Sequence, residues 1–460
     1  MPTQKSVLLI DDNVLTLELT STHLRALGFT VGAANSGKDG LDFLKNNKVD
    51  IVILDLIMPG MDGYEVLKHI RSDKNTSATP VIVLTGRYSQ SDKIKSLDKG
   101  ADDYIIKPFD NNELASRINA VLRRYEPKAQ KALKKILITG GAGFIGSHLA
   151  RKLLSLKHEV FIIDDFSTGR EENIKDLMAN TNFHLIRGSI TDDVLLNKSI
   201  ENCDLIYHLA ATVGVKNVVE NPLETLIYDT IGTELVLKYA SARGIKVLIT
   251  STSEVYGKSE KLPFSEEDDI ILGPPSVNRW SYACSKLLDE FLAVAYHKER
   301  NLSYVLVRLF NVVGPGQVGK YGMVIPRFFK NAFNNTPITI YGTGNQVRCF
   351  TYVDDIVDIL IKLPTIEAAN CQLINLGSTN EITIKDLALQ IKKITNSNSP
   401  IVYEPYESYY GDSFQDIKKR VPDLSKLKSI LGKLPSIDMD TILVKTLDYY
   451  KKHPEEIENI

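Results

Sequence analysis

Five polar residues each follow a short apolar segment in the first quarter of the chain: Asp11, Asp12, Asp55, Thr85 and Lys107. Clustered carboxylates repel one another and need a cation, and Mg²⁺, a hard ion that prefers oxygen ligands, fits best. In such a pocket Asp55 is placed to act as a nucleophile. Lys107 can pair with the negative charge that Asp55 acquires, and Thr85 can donate a hydrogen bond to it. This pattern predicts a phosphate-handling switch.

A second device is the glycine-rich turn from Thr139 to Gly146, with glycines at 140, 143 and 146. It follows an apolar segment and opens a helical pattern, so its backbone can approach a pyrophosphate at a helix N-terminus. Asp164 ends the next apolar segment, where an acceptor for a ribose diol belongs. Because an acidic residue there opposes a 2′-phosphate, the pattern favours NAD over NADP.

Tyr282 and Lys286 are four residues apart, which puts both on one face of a helix. A nearby ammonium lowers the pKa of a phenol, so we expect Tyr282 to act as a base near neutral pH. Ser251-Thr252-Ser253 follows an apolar segment and can hydrogen-bond a substrate hydroxyl. Together these residues predict an enzyme downstream of the switch.

Alternating apolar and amphipathic segments position these residues and predict an α/β fold with two parallel sheets covered by helices. We predict a domain over 1–125, a linker over 126–134 and a larger domain over 135–460. The predicted strands of the larger domain are 136–139, 159–163, 183–186, 204–209, 246–250 and 303–309. Beyond about residue 315 the pattern loosens and predicts a small substrate-covering lobe.

Composition limits the possible classes of protein. The 460 residues are 43% hydrophobic and carry a net charge of −2, so nothing attracts the whole chain to nucleic acid or a membrane. The four cysteines have no paired spacing, which favours a reducing cytoplasm over a disulfide framework. The N-terminus lacks a signal-peptide pattern, and no apolar segment is long enough to span a bilayer.

The N-terminal motifs resemble those of a response-regulator receiver domain, over about residues 5–125. The resemblance rests on the five polar residues above, on Met58-Pro59-Gly60-Met61-Asp62-Gly63 and on Pro108-Phe109. It implies a flavodoxin-like fold and phosphorylation of Asp55 by a histidine kinase or phosphotransfer protein. It also implies a magnesium site involving Asp11, Asp12, Asp55 and the carbonyl of Ile57, a cis Lys107-Pro108 bond, and a switch that couples Thr85 to Tyr104.

The remainder, over roughly residues 135–455, is similar to the extended short-chain dehydrogenase/reductases, which act mostly on nucleotide sugars. The match includes His208-Leu209-Ala210-Ala211, Ser251 to Gly257 and Arg308-Leu309-Phe310-Asn311. It implies a Rossmann fold that binds NAD through Gly140, Gly143, Gly146 and Asp164. It further implies catalysis by Tyr282, Lys286, Thr252 and Glu254, and substrate binding by Asn311, Arg348 and Arg420. Ser189 departs from the family, which often has an aspartate there that touches adenine.

In this family Tyr282 would remove the proton of the sugar C4 hydroxyl while hydride passes to NAD⁺. The resulting ketone permits decarboxylation, 4-epimerisation or 4,6-dehydration. The segment Ser251 to Gly257, with Glu254, is similar to UDP-glucuronate decarboxylases, and Arg279-Trp280 resembles the decarboxylase of the bacterial lipid A arabinose pathway. Dehydration lacks its acid, because Ser253 replaces an aspartate. Met323 stands where a decarboxylase would hold the carboxylate with arginine, and Lys320 is a candidate substitute.

We therefore predict a UDP-glucuronate decarboxylase that forms UDP-xylose, with a UDP-sugar 4-epimerase (UDP-glucose or UDP-glucuronate type) as the alternative. A non-catalytic NAD-sensing signalling protein is a second alternative, which Tyr282 and Lys286 oppose. A transcriptional response regulator would need a DNA-binding element after the receiver, and a nucleotide-binding pattern follows instead. We also expect a homodimer, and neither nucleic acid nor a membrane as a partner.

Overall fold

The computed structural model describes residues 5–73, 75–86, 100–125, 134–212, 218, 221–317, 319, 323–406 and 417–458. It forms two compact units, Met1–Ala132 and Leu133–Ile460. Within the described residues, no helix is both long enough and apolar enough to cross a bilayer.

The first unit contains a parallel five-stranded sheet in the order β2-β1-β3-β4-β5. Its strands are β1 (Ser6–Ile10), β2 (Thr30–Ala34), β3 (Ile51–Asp55), β4 (Val81–Thr85) and β5 (Asp103–Ile106). The helices are α1 (Val14–Ala26), α2 (Gly37–Asn46), α3 (Gly63–Ser72) and α4 (Asn111–Tyr125). The two apolar cores hold alternate side chains of β1 and β3, as expected for a parallel sheet covered on both faces. The α/β, flavodoxin-like expectation is confirmed.

Three helices of this unit begin at residues suited to capping. The side chains of Asn13, Ser36 and Asp62 accept hydrogen bonds from backbone N–H groups in the first turns of α1, α2 and α3. These caps satisfy donors that the helix itself leaves unpaired. These three helices begin in the loops that follow the carboxyl ends of β1, β2 and β3.

The second unit is built on a parallel seven-stranded sheet in the order β16-β11-β10-β9-β6-β7-β8. These strands are β6 (Lys135–Thr139), β7 (Glu159–Asp164), β8 (Phe183–Arg187), β9 (Leu205–His208), β10 (Lys246–Thr252), β11 (Tyr304–Leu309) and β16 (Gln372–Leu376). Helices α5 (Phe144–Ser155), α6 (Asp193–Ile200), α7 (Pro222–Ala242), α8 (Arg279–Arg300) and α10 (Val353–Lys362) accompany it. The first six strands were predicted within two residues. The seventh was not, because β16 comes from the segment assigned to the small lobe.

The small lobe has its own apolar core, formed mainly by α9 (Val324–Phe333), α11 (Ile384–Ile394) and α13 (Met439–Lys452). Its short strands are β12 (Val312–Val313), β13 (Ile338–Tyr341), β14 (Val347–Cys349), β15 (Thr351–Tyr352), β17 (Glu381–Thr383), β18 (Ile401–Glu404) and β19 (Lys419–Arg420). Helices α12 (Ser425–Leu431) and α14 (Pro454–Glu458) complete the described elements. Strand β14 pairs with β17 and β19, which sets Arg348 directly opposite Arg420.

Candidate active site and acidic pocket

Three aspartates meet at the carboxyl edge of the first sheet. One carboxylate oxygen from each of Asp11, Asp12 and Asp55 lies within 4.8 Å of the others. Asp11 and Asp55 are buried and Asp12 is exposed. A set of oxygen donors that is open to solvent on one side suits a hard divalent cation. These three residues could therefore hold the predicted Mg²⁺.

Lys107 bridges two of these carboxylates. Its Nζ lies 2.6 Å from Asp11 Oδ2 and 2.6 Å from Asp55 Oδ2. Burial raises the pKa of Asp55, although Lys107 and the backbone N–H of Ile57 both act to lower it. Burial acts to lower the pKa of Lys107, but hydrogen bonds with Asp11 and Asp55 raise it overall. The ammonium is thus beside the carboxylate of Asp55, the predicted phosphoacceptor.

Two further predictions for this pocket concern a cis peptide bond and a switch that couples Thr85 to Tyr104. The Lys107-Pro108 peptide bond is cis, as the resemblance implied. Thr85 is buried at the end of β4 and Tyr104 is partly buried in β5. Their coupling during a switch stays a prediction, and residues 87–99 lie outside the described part of the chain.

A cleft of about 460 Å³ opens at the carboxyl edge of the second sheet. The glycine-rich turn lines it, and Gly140 has φ +70°, a conformation that favours glycine. A Cβ atom on Gly143 would lie 3.1 Å from the Gly140 carbonyl oxygen and otherwise enter open space. A ligand can therefore approach the backbone at the N-terminus of α5, as a pyrophosphate requires. The turn fits the dinucleotide that its sequence predicted.

Asp164 ends β7 in the same cleft. Its carboxylate accepts hydrogen bonds from the backbone N–H groups of Ala142, at 2.8 Å, and Phe166, at 2.9 Å. Burial raises the pKa of Asp164, and these two bonds partly offset that effect. The carboxylate is thereby fixed beside the glycine turn, which suits the predicted contact with a ribose diol.

Tyr282 and Lys286 line the cleft from one face of α8. The pKa of Tyr282 is nevertheless raised, because burial of the phenol outweighs the opposing effect of the Lys286 ammonium. The expectation that Tyr282 acts as a base near neutral pH stays a prediction, and Lys286 is the group that acts in its favour.

Lys286 has two acidic neighbours beyond the predicted site residues. Its Nζ lies 2.8 Å from Asp289 Oδ2, one turn along α8. Asp229 on α7 accepts hydrogen bonds from Thr212 N, at 2.8 Å, and from the Ser285 hydroxyl, at 3.0 Å. Burial raises the pKa of Asp229 to about 6, although Lys286 acts to lower it. The spacing of Asp289, three residues after Lys286, was a signal available in the sequence.

The predicted hydroxyl cluster divides between two tasks. Thr252 lines the cleft, and its Oγ accepts a hydrogen bond from the backbone N–H of Glu254 at 3.2 Å. Ser251 instead donates to Glu290 at 2.6 Å. Arg308 binds the same Glu290 carboxylate at 2.9 and 2.7 Å. Ser251 therefore belongs to a buried network, and Thr252 and Ser253 line the cleft with it.

Glu254 lies among arginines. Arg420 Nη1 is 2.8 Å from its Oε1, and Arg279 Nη2 is 3.1 Å from its Oε2. Burial acts to raise the pKa of Glu254, but Arg279, Arg420 and Arg348 together lower it to about 2. The carboxylate is therefore ionised at every physiological pH. It cannot supply a proton, although it can fix the arginines in place.

Some of the remaining predicted residues line the cleft and others do not. Asn311 lines the cleft and donates from Nδ2 to the Cys349 carbonyl oxygen at 3.0 Å. Met323 also lines the cleft, and Lys320 lies outside the described residues. Ser189 shares a hydrogen bond with the Thr191 hydroxyl at 2.7 Å. Arg279, which the sequence analysis gave no role, is the additional cation that the structure adds to this group.

Comparisons with known proteins agree with this geometry. Residues 136–377 match the NAD dependent epimerase/dehydratase family, and residues 7–119 match the response regulator receiver domain. The chain is 40% identical over 327 residues to the UDP-N-acetyl-alpha-D-glucosaminuronate decarboxylase of Bacillus cytotoxicus, covering 71% of this chain and 99% of that protein. It is 36% identical over 331 residues to UDP-glucuronic acid decarboxylase 1 of Xenopus tropicalis, covering 72% and 75%.

Among solved structures, the UDP-glucuronic acid 4-epimerase of Bacillus cereus, in complex with UDP-glucuronic acid and NAD, has a TM-score of 0.63 and 29% identity. The alignment covers 69% of this chain and 99% of that one. The two predicted resemblances are thus confirmed. The chain belongs to the NAD dependent epimerase/dehydratase family and carries a response regulator receiver domain ahead of the enzyme.

Proposed function

We propose that the protein decarboxylates a UDP-linked hexuronic acid through a transient ketone at C4 of the sugar. The observation that carries this proposal is the charge of the cleft. Arg279, Arg348 and Arg420 surround the single carboxylate of Glu254 in the cleft that Tyr282 lines. Three guanidinium groups match a ligand with two phosphates and one carboxylate, because arginine binds both groups bidentately. The decarboxylase relatives support the same reading.

NAD would be held by Gly140, Gly143, Gly146 and Asp164, and when bound it accepts hydride from the sugar C4 and later returns it. Tyr282 takes the proton of the C4 hydroxyl, while Thr252 hydrogen-bonds the same oxygen. Lys286 stabilises the phenolate. The C4 ketone is then β to the carboxylate, so CO₂ leaves and its bonding electrons form the enolate. C5 of the enolate then takes a proton from solvent water, which restores the C4 ketone. Tyr282 returns its proton to the C4 oxygen when that ketone is reduced.

In this scheme Arg279 binds the sugar carboxylate and Glu254 positions Arg279. Asn311, Arg348 and Arg420 hold the nucleoside diphosphate. The assignment makes Glu254 a positioning residue, in keeping with its pKa of about 2. It also removes the need for an arginine at Met323, since Arg279 supplies the cation.

The substrate and the reaction each have one alternative. The relative from Bacillus cytotoxicus is named for an N-acetylated hexuronate, so UDP-N-acetylglucosaminuronate is a second candidate beside UDP-glucuronate. UDP-sugar 4-epimerisation is the alternative reaction, which the 29% identity to a UDP-glucuronic acid 4-epimerase favours. A non-catalytic NAD sensor is disfavoured because Tyr282, Lys286 and Thr252 all line one cleft.

The purified full-length protein should be incubated with NAD⁺ and, separately, UDP-glucuronate, UDP-N-acetylglucosaminuronate and UDP-glucose. We expect one uronate to lose the mass of CO₂, with nuclear magnetic resonance identifying the pentose product. An unchanged mass with inverted C4 configuration would establish epimerisation instead. No turnover of any of the three sugars would contradict the proposal.

For the receiver domain, we infer that Asp11, Asp12 and Asp55 hold Mg²⁺ and that Asp55 accepts a phosphoryl group from a histidine kinase or phosphotransfer protein. The carboxylate spacing and the Lys107 contacts support this assignment. Lys107 would neutralise the acquired charge. Phosphorylation would then alter either the assembly state of the enzyme or the closure of its substrate lobe.

We further propose domain boundaries at 1–125 and 135–460, with a linker over 126–134. We also propose a cytoplasmic location, which suits the four free thiols.

A homodimer is proposed through the outer faces of α7 and α8. These packed helices expose apolar side chains at Leu223, Ile227, Ile231, Leu288, Phe291 and Val294. An apolar surface of this kind is typical of an interface.

A further inference from the structure

Two buried carboxylates flank Lys286 and have no part in the reaction described above. The exposed fractions are 2% for Lys286, 0% for Asp289 and 1% for Asp229. Asp289 lies on the same helix as Lys286, and its Oδ2 accepts the lysine hydrogen bond at 2.8 Å. Asp229 faces α8 from the packed helix α7, and the Ser285 hydroxyl donates to its Oδ2 at 3.0 Å. Lys286 thus pairs directly with Asp289, and the charge of Asp229 acts on the same ammonium from the neighbouring helix.

The other ionisable groups around this cluster are already matched or neutral. Glu290 on α8 is bound at both oxygens by Arg308 from β11. Glu254, which follows β10, is engaged by Arg279 and Arg420.

His208 at the end of β9 contacts the hydroxyls of Thr139 and Thr233 at 2.8 and 2.9 Å. Burial, followed by Lys286, lowers its pKa to about 3, so it is neutral. The cluster of Lys286, Asp229 and Asp289 therefore has an excess of one negative charge once both carboxyls are ionised.

We propose that Asp229 and Asp289 are positioning residues that offset the charge of Lys286 and thereby keep the Tyr282 phenol protonated for the return half of the reaction. The inference rests on the proposed 4-keto chemistry. In the first half Tyr282 must lose a proton, but in the second half the C4 oxygen must regain one. A lysine acting without opposing charges would favour the phenolate and serve only the first half.

The local electrostatics agree in sign with this assignment. Burial is the largest influence raising the pKa of Tyr282, and the charges of Asp229, Glu254 and Asp289 raise it further, while Lys286 lowers it. Because the pKa of Asp229 is about 6, its contribution is expected mainly above that pH. Burial raises the pKa of Asp289 as well, and its hydrogen bond with Lys286 opposes that rise.

The test replaces each carboxylate by its amide in the full-length protein, as Asp229→Asn and Asp289→Asn. Glu224→Gln on α7 and Glu299→Gln on α8 are matched controls, because both are exposed. The pKa of Tyr282 is read from tyrosinate ultraviolet absorbance in the NAD⁺-loaded protein, with the Tyr282→Phe spectrum subtracted. We expect each Asn variant to lower it by about one pH unit. The acidic limb of kcat/KM should move in the same direction.

An unchanged or higher Tyr282 pKa in both Asn variants would overturn the proposal. Loss of activity without a displaced pKa would point to a purely structural role and would also overturn it. Asp229→Asn retains an oxygen for Thr212 N, so it decides the question even if Asp289→Asn fails to fold. The absorbance titration needs no turnover. It therefore separates a failure of this inference from a failure of the proposed decarboxylation.

Discussion

Glu254 illustrates how a side chain can be found in sequence while its partners cannot. The motif placed an acid in the active site, and Glu254 does line the cleft. Its partners, however, come from distant segments, since Arg420 is 166 residues away in the chain. These arginines hold the carboxylate ionised, which is a property of the folded surroundings and not of residue type.

At Tyr282, we predict that Tyr282→Phe abolishes turnover and leaves NAD bound. The substitution removes only the hydroxyl that exchanges the proton, whereas the glycine turn and Lys286 remain. Mass spectrometry of the product measures turnover, and calorimetry measures NAD affinity. Retained turnover would remove Tyr282 from the role of base.

Single residues were predictable from sequence where local spacing brings them together. Tyr282 and Lys286 meet because a helix repeats every 3.6 residues. Asp229 and Lys286 lie on different helices and are 57 positions apart in the chain. Only the packing of α7 against α8 brings them together.

At the scale of secondary structure elements, the junction of β6 and α5 depends on glycines with different tasks. A Cβ on Gly146 would lie 2.3 Å from the Gly140 carbonyl oxygen, a distance that the turn cannot accommodate. A Cβ on Gly143 meets the same oxygen at 3.1 Å and points into space available to a ligand. One glycine therefore permits the fold of the turn, and the other permits the approach of the cofactor.

We therefore predict that Gly146→Ala lowers the melting temperature as well as NAD affinity. Gly143→Ala should melt near the wild-type temperature but bind NAD at least tenfold more weakly, corresponding to about 1.4 kcal/mol. Thermal melting and calorimetric NAD titration measure the two effects. Wild-type NAD affinity in Gly143→Ala would contradict the assigned role of this turn.

The outer faces of α7 and α8 give a second prediction at this scale. Phe291 is 64% exposed on α8, so Phe291→Glu should dissociate the proposed dimer by placing a charge in its apolar interface. Lys298→Glu, on the same helix, is the control for a changed charge. Light scattering would measure the molar mass of each. A monomeric wild-type protein would contradict the proposed interface.

Long apolar strands were readily predicted, and the missed ones differ in composition. Strand β2 is Thr-Val-Gly-Ala-Ala, which buries little apolar surface and lies at a sheet edge. Strand β16 is Gln-Leu-Ile-Asn-Leu, also at an edge, with two amides among its five residues. Small or polar residues interrupt the apolar pattern of both strands, so their sequence signal is weaker.

At the scale of the whole molecule, a receiver domain and a nucleotide-sugar enzyme share one chain. We predict that an acyl phosphate with Mg²⁺ phosphorylates the protein and changes its turnover or its assembly state. Asp55→Asn should abolish both effects, and Glu18→Gln, an exposed change on α1, should preserve them. Phosphoryl incorporation without any change in kcat, KM or molar mass would contradict a regulatory link.

Metal removal separates the two activities in the same experiment. Among the described residues, the carboxylates spaced to hold a metal are Asp11, Asp12 and Asp55. A chelator should therefore block phosphoryl incorporation and leave the turnover of the unphosphorylated enzyme unchanged. Phosphoryl transfer that persists in the chelator would contradict the assigned magnesium site.

The domain order followed directly from the sequence, because each unit carries its own alternation of strands and helices and its own motifs. What the sequence did not reveal is how the segment after residue 315 contributes to both the large sheet and the small lobe. Strand β16 returns to pair with β11, whereas β14 and β19 bring Arg348 and Arg420 to the cleft. Long-range pairings of this kind have no local signal.

The ion pairs of Glu254 have a thermodynamic consequence for recognition. Arg420 is anchored on a lobe strand and Arg279 on a helix of the nucleotide-binding half, yet one carboxylate holds both before any nucleotide arrives. These long side chains lose their conformational entropy during folding, so that this loss does not oppose association with a ligand. In the proposed scheme a sugar nucleotide therefore meets guanidinium groups that Glu254 already holds in position.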